Sequence, residues 1–346
     1  MSHPDTLNTT GLALETLSLA DEQGRPLAVP LVQGTWHIGE EGRLSWLEKQ
    51  PAIQLSGEWR GDPARTSMRL EPQMAFCKPV GTDVVLLGHA HAPHRGAIEG
   101  QVGVRLGSAR KVARVLGDRT LLRGLGGVSI SAPAPFDRIP IVYERAFGGW
   151  DRRHEDPLQH RCELRNPVGV GFLDERLRLA HEQVLPNFED PEHTYGGPGD
   201  APPPAGFGFV SPDWQPRRAL AGTYDEVWSK TRKPLLAQDF DRRFFNAASP
   251  GLVTQGHLQG HEEAVVIGAS PEGRLSFSLP ARGAPRCWIE NRGRKRVALE
   301  PLLDTVIIDL DLRTLTLIWR TQWQAANGLH DVRSIELQIA RPGEAQ

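Results

Sequence analysis

The sequence predicts a mainly β protein, with antiparallel strands at both ends and a long, mostly irregular Gly/Pro-rich middle holding few short helices. Three observations carry this. Apolar alternation of period two recurs in the first and last thirds, as in Gln101–Leu106 and Arg274–Leu279. The 36 glycines and 28 prolines make 64 of 346 residues, about 18% against an average of about 12%. Sustained helical periodicity is nearly absent, which excludes a helical bundle. The 9 Trp and 11 Phe argue that this turn-rich chain is packed rather than disordered.

In chain order, Pro30–Trp36 is apolar-rich and ends at a His-Ile-Gly turn. Val84–Leu87 is a continuous apolar run, suited to a strand buried on both faces. Gln101–Leu106 places Val102, Val104 and Leu106 on one face, and Lys111–Leu116 follows, with Gly96 and Gly107 at the turns of an antiparallel meander. From about Ala132 to Pro250, proline and glycine cluster repeatedly, most densely at Gly196–Gly208. Only Leu173–Val184 has helical spacing there, and a second helix is predicted over Ala237–Ala248, with Asp239 as cap and Phe240, Phe244 and Phe245 turned inward. So long an irregular stretch carries function or wraps the core. Strands return at Arg274–Leu279, at a hairpin of Asp304–Asp309 with Leu315–Arg320, and at Ser334–Ala340. The expected organisation is one domain over residues 1–346: strand-rich to 130, irregular over 131–250, strand-rich over 251–342.

A net charge of −2, from 40 basic and 42 acidic residues, argues against nucleic acid or an anionic membrane as partner. The apolar runs fall far short of the roughly 18 residues of a spanning helix. The N-terminal MSHPDTLNTT lacks the basic and apolar regions of a secretion signal, so the expected location is the cytoplasm. Cys77, Cys162 and Cys287 are odd in number and widely spaced, which reads as three ordinary thiols.

Chemistry-bearing patterns are sparse. Gly88-His-Ala-His-Ala-Pro-His94 follows a predicted strand, and His89 with His91 at i, i+2 is a possible metal-ligand pair, with Asp83, Asp118 or Glu144 available to complete it. Neither a nucleophile elbow nor a phosphate-cradling glycine loop occurs. Asp239 and Asp241, or Asp304, Asp309 and Asp311, have cheaper explanations as caps and turns than as an acid/base pair. Arg292-Gly-Arg-Lys-Arg296 reads as a solvated basic turn, or as a contact for an acidic partner.

The longer strings are more specific. Lys78-Pro-Val-Gly-Thr-Asp-Val84, Gly88-His-Ala-His-Ala-Pro93, Gly117-Asp-Arg119 and Pro135-Phe136 are followed by Tyr143-Glu-Arg-Ala-Phe-Gly-Gly149, Asn166-Pro-Val-Gly169 and Leu185-Pro-Asn187. Then come Pro204-Ala-Gly-Phe207, Gly222-Thr-Tyr-Asp225 with Trp228, Asp239-Phe-Asp241, Phe245-Asn-Ala247 and Leu279-Pro280. Leu303-Asp-Thr305 with Trp319-Arg320 closes the series. In this collinear order the chain resembles the DUF2169 family over about residues 20–320. The resemblance implies a non-enzymatic cytoplasmic adaptor or chaperone of bacterial type VI secretion, which binds an effector and helps load it onto the VgrG spike or its PAAR tip. It implies no cofactor, no metal and no catalytic residues. Some relatives carry pentapeptide repeats after this domain, and none occur here.

Lys78, Asp83, His89, Asp118, Arg119, Glu144, Arg145, Gly148, Asn166, Asp225, Trp228 and Asp239 fall in those strings, and their expected role is structural: charged residues among apolar ones form internal pairs, and glycines meet backbone needs. Expected partner-binding candidates are Trp150, Trp214 and Trp323, by residue type, together with Ser334–Ala340 as an edge strand open to a partner's sheet. The competing expectation is a metal-dependent hydrolase or toxin using the His89/His91 region, and a third is a fixed structural subunit of the secretion apparatus.

Overall fold

The computed structural model describes residues 4–124, 127–174, 176, 182–280 and 285–339. Its largest sheet is built on the strand Pro26–Ile38, whose apolar, β-branched run PLAVPLVQGTWHI is buried on both faces nearly throughout. Ala13–Ala20 pairs with it on one side and Thr314–Arg320 on the other; beyond lie Leu302–Asp309 and, parallel to that strand, Asp83–Leu87. The hairpin expected at Asp304–Asp309 with Leu315–Arg320 forms, as Leu302–Asp309 paired with Thr314–Arg320.

A second, fully antiparallel sheet runs Phe188–Glu189, Ala109–Leu116, Glu99–Leu106, Glu263–Ile267, Arg274–Ser278. Gly107-Ser108 closes its central hairpin, with Gly107 at φ +56°. Val102, Val104 and Leu106 are buried, as their spacing predicts, and they join Val266, Phe277, Val306, Ile308 and Leu317 in one apolar cluster between the two sheets. At roughly 1.5–3 kcal/mol for each large aliphatic or aromatic side chain buried, this cluster dominates the stabilisation.

The third sheet corrects one expectation. Val332–Ile339 lies between Asp5–Asn8, which pairs with it in parallel, and Pro285–Asn291, which pairs antiparallel. Both sides of its backbone are occupied, so it is an inner strand and offers no edge to a partner. The outer strands of this sheet are Asp5–Asn8 and Arg296–Leu299. The basic Arg292–Arg296 segment is the turn into Arg296–Leu299, and the Arg296 guanidinium sits 4.4 Å from the Trp288 ring centre.

The irregular middle wraps the core. The backbone of Asp83–Leu87 donates from Val84 to Leu252 O (2.8 Å) and from Leu86 to Phe207 O (3.1 Å), so the middle segment covers what would be a free sheet edge. The helix expected over Ala237–Ala248 is replaced by a single 3-10 turn, Arg242–Phe245. Asp241 caps that turn, and Asp239 accepts instead from the Thr223 amide and hydroxyl, both at 2.8 Å. Phe240, Phe244 and Phe245 still meet, ring centres 5.5–5.8 Å apart, but half-buried. The helical reading of Leu173–Val184 lies largely outside the described residues. Among the described residues the α-helix is Glu226–Thr231, with Asp225 accepting from the Trp228 amide at 2.8 Å and the Trp228 indole donating to Leu235 O at 2.8 Å. Asp225→Ala removes the cap and is expected to cost about 1 kcal/mol in a urea titration, with no change in β content by circular dichroism.

Candidate functional site

Among the charged residues of the shared strings, Lys78, Asp83, Arg119, Asp304 and Arg320 are buried, whereas Asp118, Asp225 and Asp239 are exposed. The Lys78 ammonium, buried between the sheets and the middle segment, donates to Glu71, to Asp83 Oδ2 (2.6 Å) and to Thr305 Oγ1 (2.9 Å). Burial works against its charge, but the carboxylates of Asp83, Glu71 and Asp304 outweigh burial and hold the amine above its ordinary value. Asp83 also accepts from Asn246 Nδ2 (3.0 Å) and from the Ala247 amide (2.7 Å), which fastens the middle segment to the sheet edge. Nearby, Arg217 lies 3.7 Å from Glu71 and donates to Phe244 O and Val210 O. Arg320, equally buried, pairs with Asp304 at 2.8 Å and donates to Gln73 Oε1 at 2.7 Å.

A second set pins the region around Tyr143. Glu144 accepts from the Ser67 amide (2.8 Å) and hydroxyl (2.7 Å). Arg145 donates to Asp118 (2.9 Å) and to Asn187 Oδ1 (3.1 Å), while Asn187 donates to Leu116 O and Asp118. Arg119 is bound to Glu189 and donates to Pro186 O at 3.2 Å. Asn166, fully buried, donates to Tyr143 O (2.8 Å) and Phe147 O (2.9 Å), and Gly148 packs against its backbone.

The histidine string forms the short strand His89–His91, with Ala90 buried and both imidazoles on the opposite face. His89 Nδ1 is bound to the Asp311 carboxylate at 2.8 and 3.0 Å, so the partner is Asp311 rather than Asp83, Asp118 or Glu144. Burial lowers the pKa of His91. Among the described residues, no three His, Cys, Asp or Glu side chains converge as a metal would need. The cysteines are free thiols; burial pushes Cys77 and Cys287 up to about 12 and Cys162 up to about 11, away from the thiolate form.

The three tryptophan candidates separate. Trp214 is only 2% exposed and packs edge-on against Tyr143, so it belongs to the interior and corrects the expectation of a surface anchor. Trp323 is half-buried against the cluster under the third sheet. Trp150 is 50% exposed, with the Arg152 guanidinium 5.4 Å from its ring centre. It begins a small hairpin in which Trp150–Asp151 pairs with Arg161–Cys162. Leu158 on that hairpin is 90% exposed, and Leu164 beyond it is exposed as well.

The hairpin's far end leads to a feature that no motif announced. Leu164 O accepts from the Gln215 amide, and Arg165 and Gln215 line a cavity of about 860 Å³ that reaches Arg110, Lys111 and Val112 of the strand Ala109–Leu116. Lys111, Tyr143, Pro191, Pro203, Pro204 and Pro250 line it too. A neighbouring cavity of about 750 Å³ shares Gln101, Pro191 and Ile267 with it and reaches His91 and Pro93. The available signal was Lys111 itself: by alternation it shares the inward face with the buried Ala109, Ala113 and Val115.

Comparison with known proteins defines the class and no more. Residues 23–320 match the DUF2169 family, described as an uncharacterized protein conserved in bacteria, and the chain belongs to that family. Neither a curated protein nor a solved structure matches it. Among the described residues no helix is long and apolar enough to cross a membrane.

Proposed function

We propose that this chain is a non-enzymatic cytoplasmic adaptor of bacterial type VI secretion that binds an effector and helps load it onto the VgrG spike or its PAAR tip. The observation that carries the reading is a division of labour between residues. The buried charged residues of the family strings, Lys78, Asp83, Arg119, Asp304 and Arg320, are engaged in internal pairs, and Asp83 ties the middle segment to the sheet edge. The exposed apolar side chains of the Trp150–Leu164 hairpin and the adjoining proline-walled groove are left open to solvent. A rigid β scaffold with exposed anchors beside a groove suits stoichiometric capture of another protein, since a preformed surface loses little conformational entropy on binding.

Co-expression with the tagged products of neighbouring effector and spike genes, followed by size exclusion, tests this. A complex of fixed stoichiometry is expected; a chain that elutes alone from every combination refutes the reading. Trp150→Ala combined with Leu158→Ser is expected to leave thermal stability unchanged, because both side chains are largely outside the core. The same variant is expected to weaken the complex by about tenfold or more, the loss typical of an exposed aromatic anchor.

A further inference from the structure

We propose that the cavity beside Val112, on the incompletely paired side of Ala109–Leu116, is a carboxylate-binding subsite, in which the Lys111 ammonium receives an acidic residue from an extended segment of a partner protein. That the partner is the secreted effector rests on the adaptor reading above; the chemistry of the subsite does not.

Lys111 points inward, yet its contacts are with neutral groups. Its ammonium donates to Ser249 Oγ (2.6 Å) and Pro250 O (3.2 Å) and lies 5.9 Å from the Phe207 ring centre. Lys78, by contrast, is held by two carboxylates. Lys111 is half-buried, and an ammonium partly withdrawn from water with only Asp190 as an acidic neighbour carries a cost that a ligand's charge relieves. Burial pulls the amine down to about 8, with Asp190 the acidic group that partly offsets it, so the protonated form still prevails at neutral pH. A second group points to the same ligand. Tyr143 is 3% exposed and lines the cavity, and its hydroxyl, although beside Ser249, completes no hydrogen bond of acceptable geometry within the described residues. Lys111 and Tyr143 together provide two donors, which a carboxylate can accept with its two oxygens.

The surroundings select among anions. The Arg165 guanidinium is already committed to Glu163, at 2.8 and 2.6 Å. Asp190 and Glu192 stand in the cavity wall, where they oppose a doubly charged phosphate more strongly than a singly charged carboxylate. Arg110 also lines the cavity but is exposed, so Lys111 is the recessed cation, and one such charge matches one carboxylate. The strand edge favours an extended chain. Arg110 donates its amide to Gly251 O and Arg114 pairs with Glu189, but Val112 between them has no main-chain partner on that side among the described residues. Continuing the Arg114–Glu189 register places Pro191 opposite Val112, and proline has no N–H to give. A partner segment can supply the missing strand pairing while its acidic side chain reaches Lys111.

Lys111→Met tests this, since it keeps the apolar stem, removes the half-buried charge and is expected to fold with an unchanged or higher melting temperature. The effector complex of the folded variant is expected to weaken about thirtyfold or more, the cost of removing one member of a buried charged pair; binding within twofold of wild type overturns the subsite. A second measurement is independent of the effector. In protein carrying isotope-labelled lysine, the Lys111 amine resonance is expected to shift saturably with the blocked tripeptide N-acetyl-Ala-Glu-Ala-amide and not with its Gln counterpart. No shift at millimolar peptide, or an equal shift with inorganic phosphate, overturns the carboxylate assignment. A Glu-specific shift in a protein that captures neither effector nor spike supports the subsite and refutes the adaptor reading.

Discussion

Lys78→Met is expected to destabilise the fold by about 3–5 kcal/mol, a large share of the 5–15 kcal/mol that holds a typical domain together. The cause is what remains rather than what is lost. Glu71 and Asp83, at 3% and 0% exposure, would face each other across the vacated position. Arg217, 3.7 Å from Glu71, answers only part of that charge. Burial already raises the Glu71 pKa in the native protein, with Lys78 the main opposing influence. Without Lys78 the folded state holds a carboxylate proton more tightly than the unfolded chain, whose carboxyls titrate near about 4. The variant's stability is therefore present below that unfolded value and is lost as pH rises toward the raised folded value. Urea midpoints measured across this range are expected to fall with rising pH in Lys78→Met, more steeply than in wild type. Lys78→Met/Asp83→Asn, which removes the second charge as well, is expected to recover part of the loss. A single-variant cost below about 1 kcal/mol would show that the network is not buried as described.

Strand identity was legible because it is written locally. Val102, Val104 and Leu106, or Leu275 and Phe277, alternate within one segment, and burial follows the alternation. Pairing was not legible. The parallel partner of Val332–Ile339 is Asp5–Asn8, at the other end of the chain, so nothing in the local spacing could show that this strand is enclosed. The same physics misled at Ala237–Ala248. Asp239 and the three phenylalanines have helix-like spacing, but Asp239 is claimed by Thr223, 16 residues earlier, and Asp241 caps a single turn in its place. The inner charged residues announced themselves by sitting among apolar neighbours, whereas the cavity did not. Lys111 lies in an alternating strand where one lysine among alanines and valines reads as an irregularity, and the cavity wall comes from four separate proline-bearing segments. Sites assembled from turns far apart in sequence leave no local period to detect.

The string Tyr143-Glu-Arg-Ala-Phe-Gly-Gly149 shows how much structure one short segment can hold. Tyr143 packs against Trp214 and lines the groove, Glu144 ties down Ser67, Arg145 reaches Asp118 and Asn187, and Ala146 O and Gly148 O accept from Val170 and Phe172. The whole is clasped by the Asn166 amide, which donates to Tyr143 O and Phe147 O. The clasp requires close approach, and Gly148 permits it: its φ is +153°, and an added Cβ would stand 2.1 Å from Asn166 O. Backbone on both sides is fixed by these hydrogen bonds, so neither can retreat without breaking the set. Gly148→Ala is therefore expected to cost about 3 kcal/mol or more and to disturb the groove wall at Tyr143. Gly96→Ala is the matched comparison, since Gly96 also has a positive φ, +78°, but open space within 4 Å. It is expected to cost only the backbone penalty of about 1–2 kcal/mol. Urea titrations of the two variants side by side separate conformational strain from steric exclusion. Equal costs would mean that the Asn166 turn yields to the new methyl group and that the clasp is not what holds this string in place.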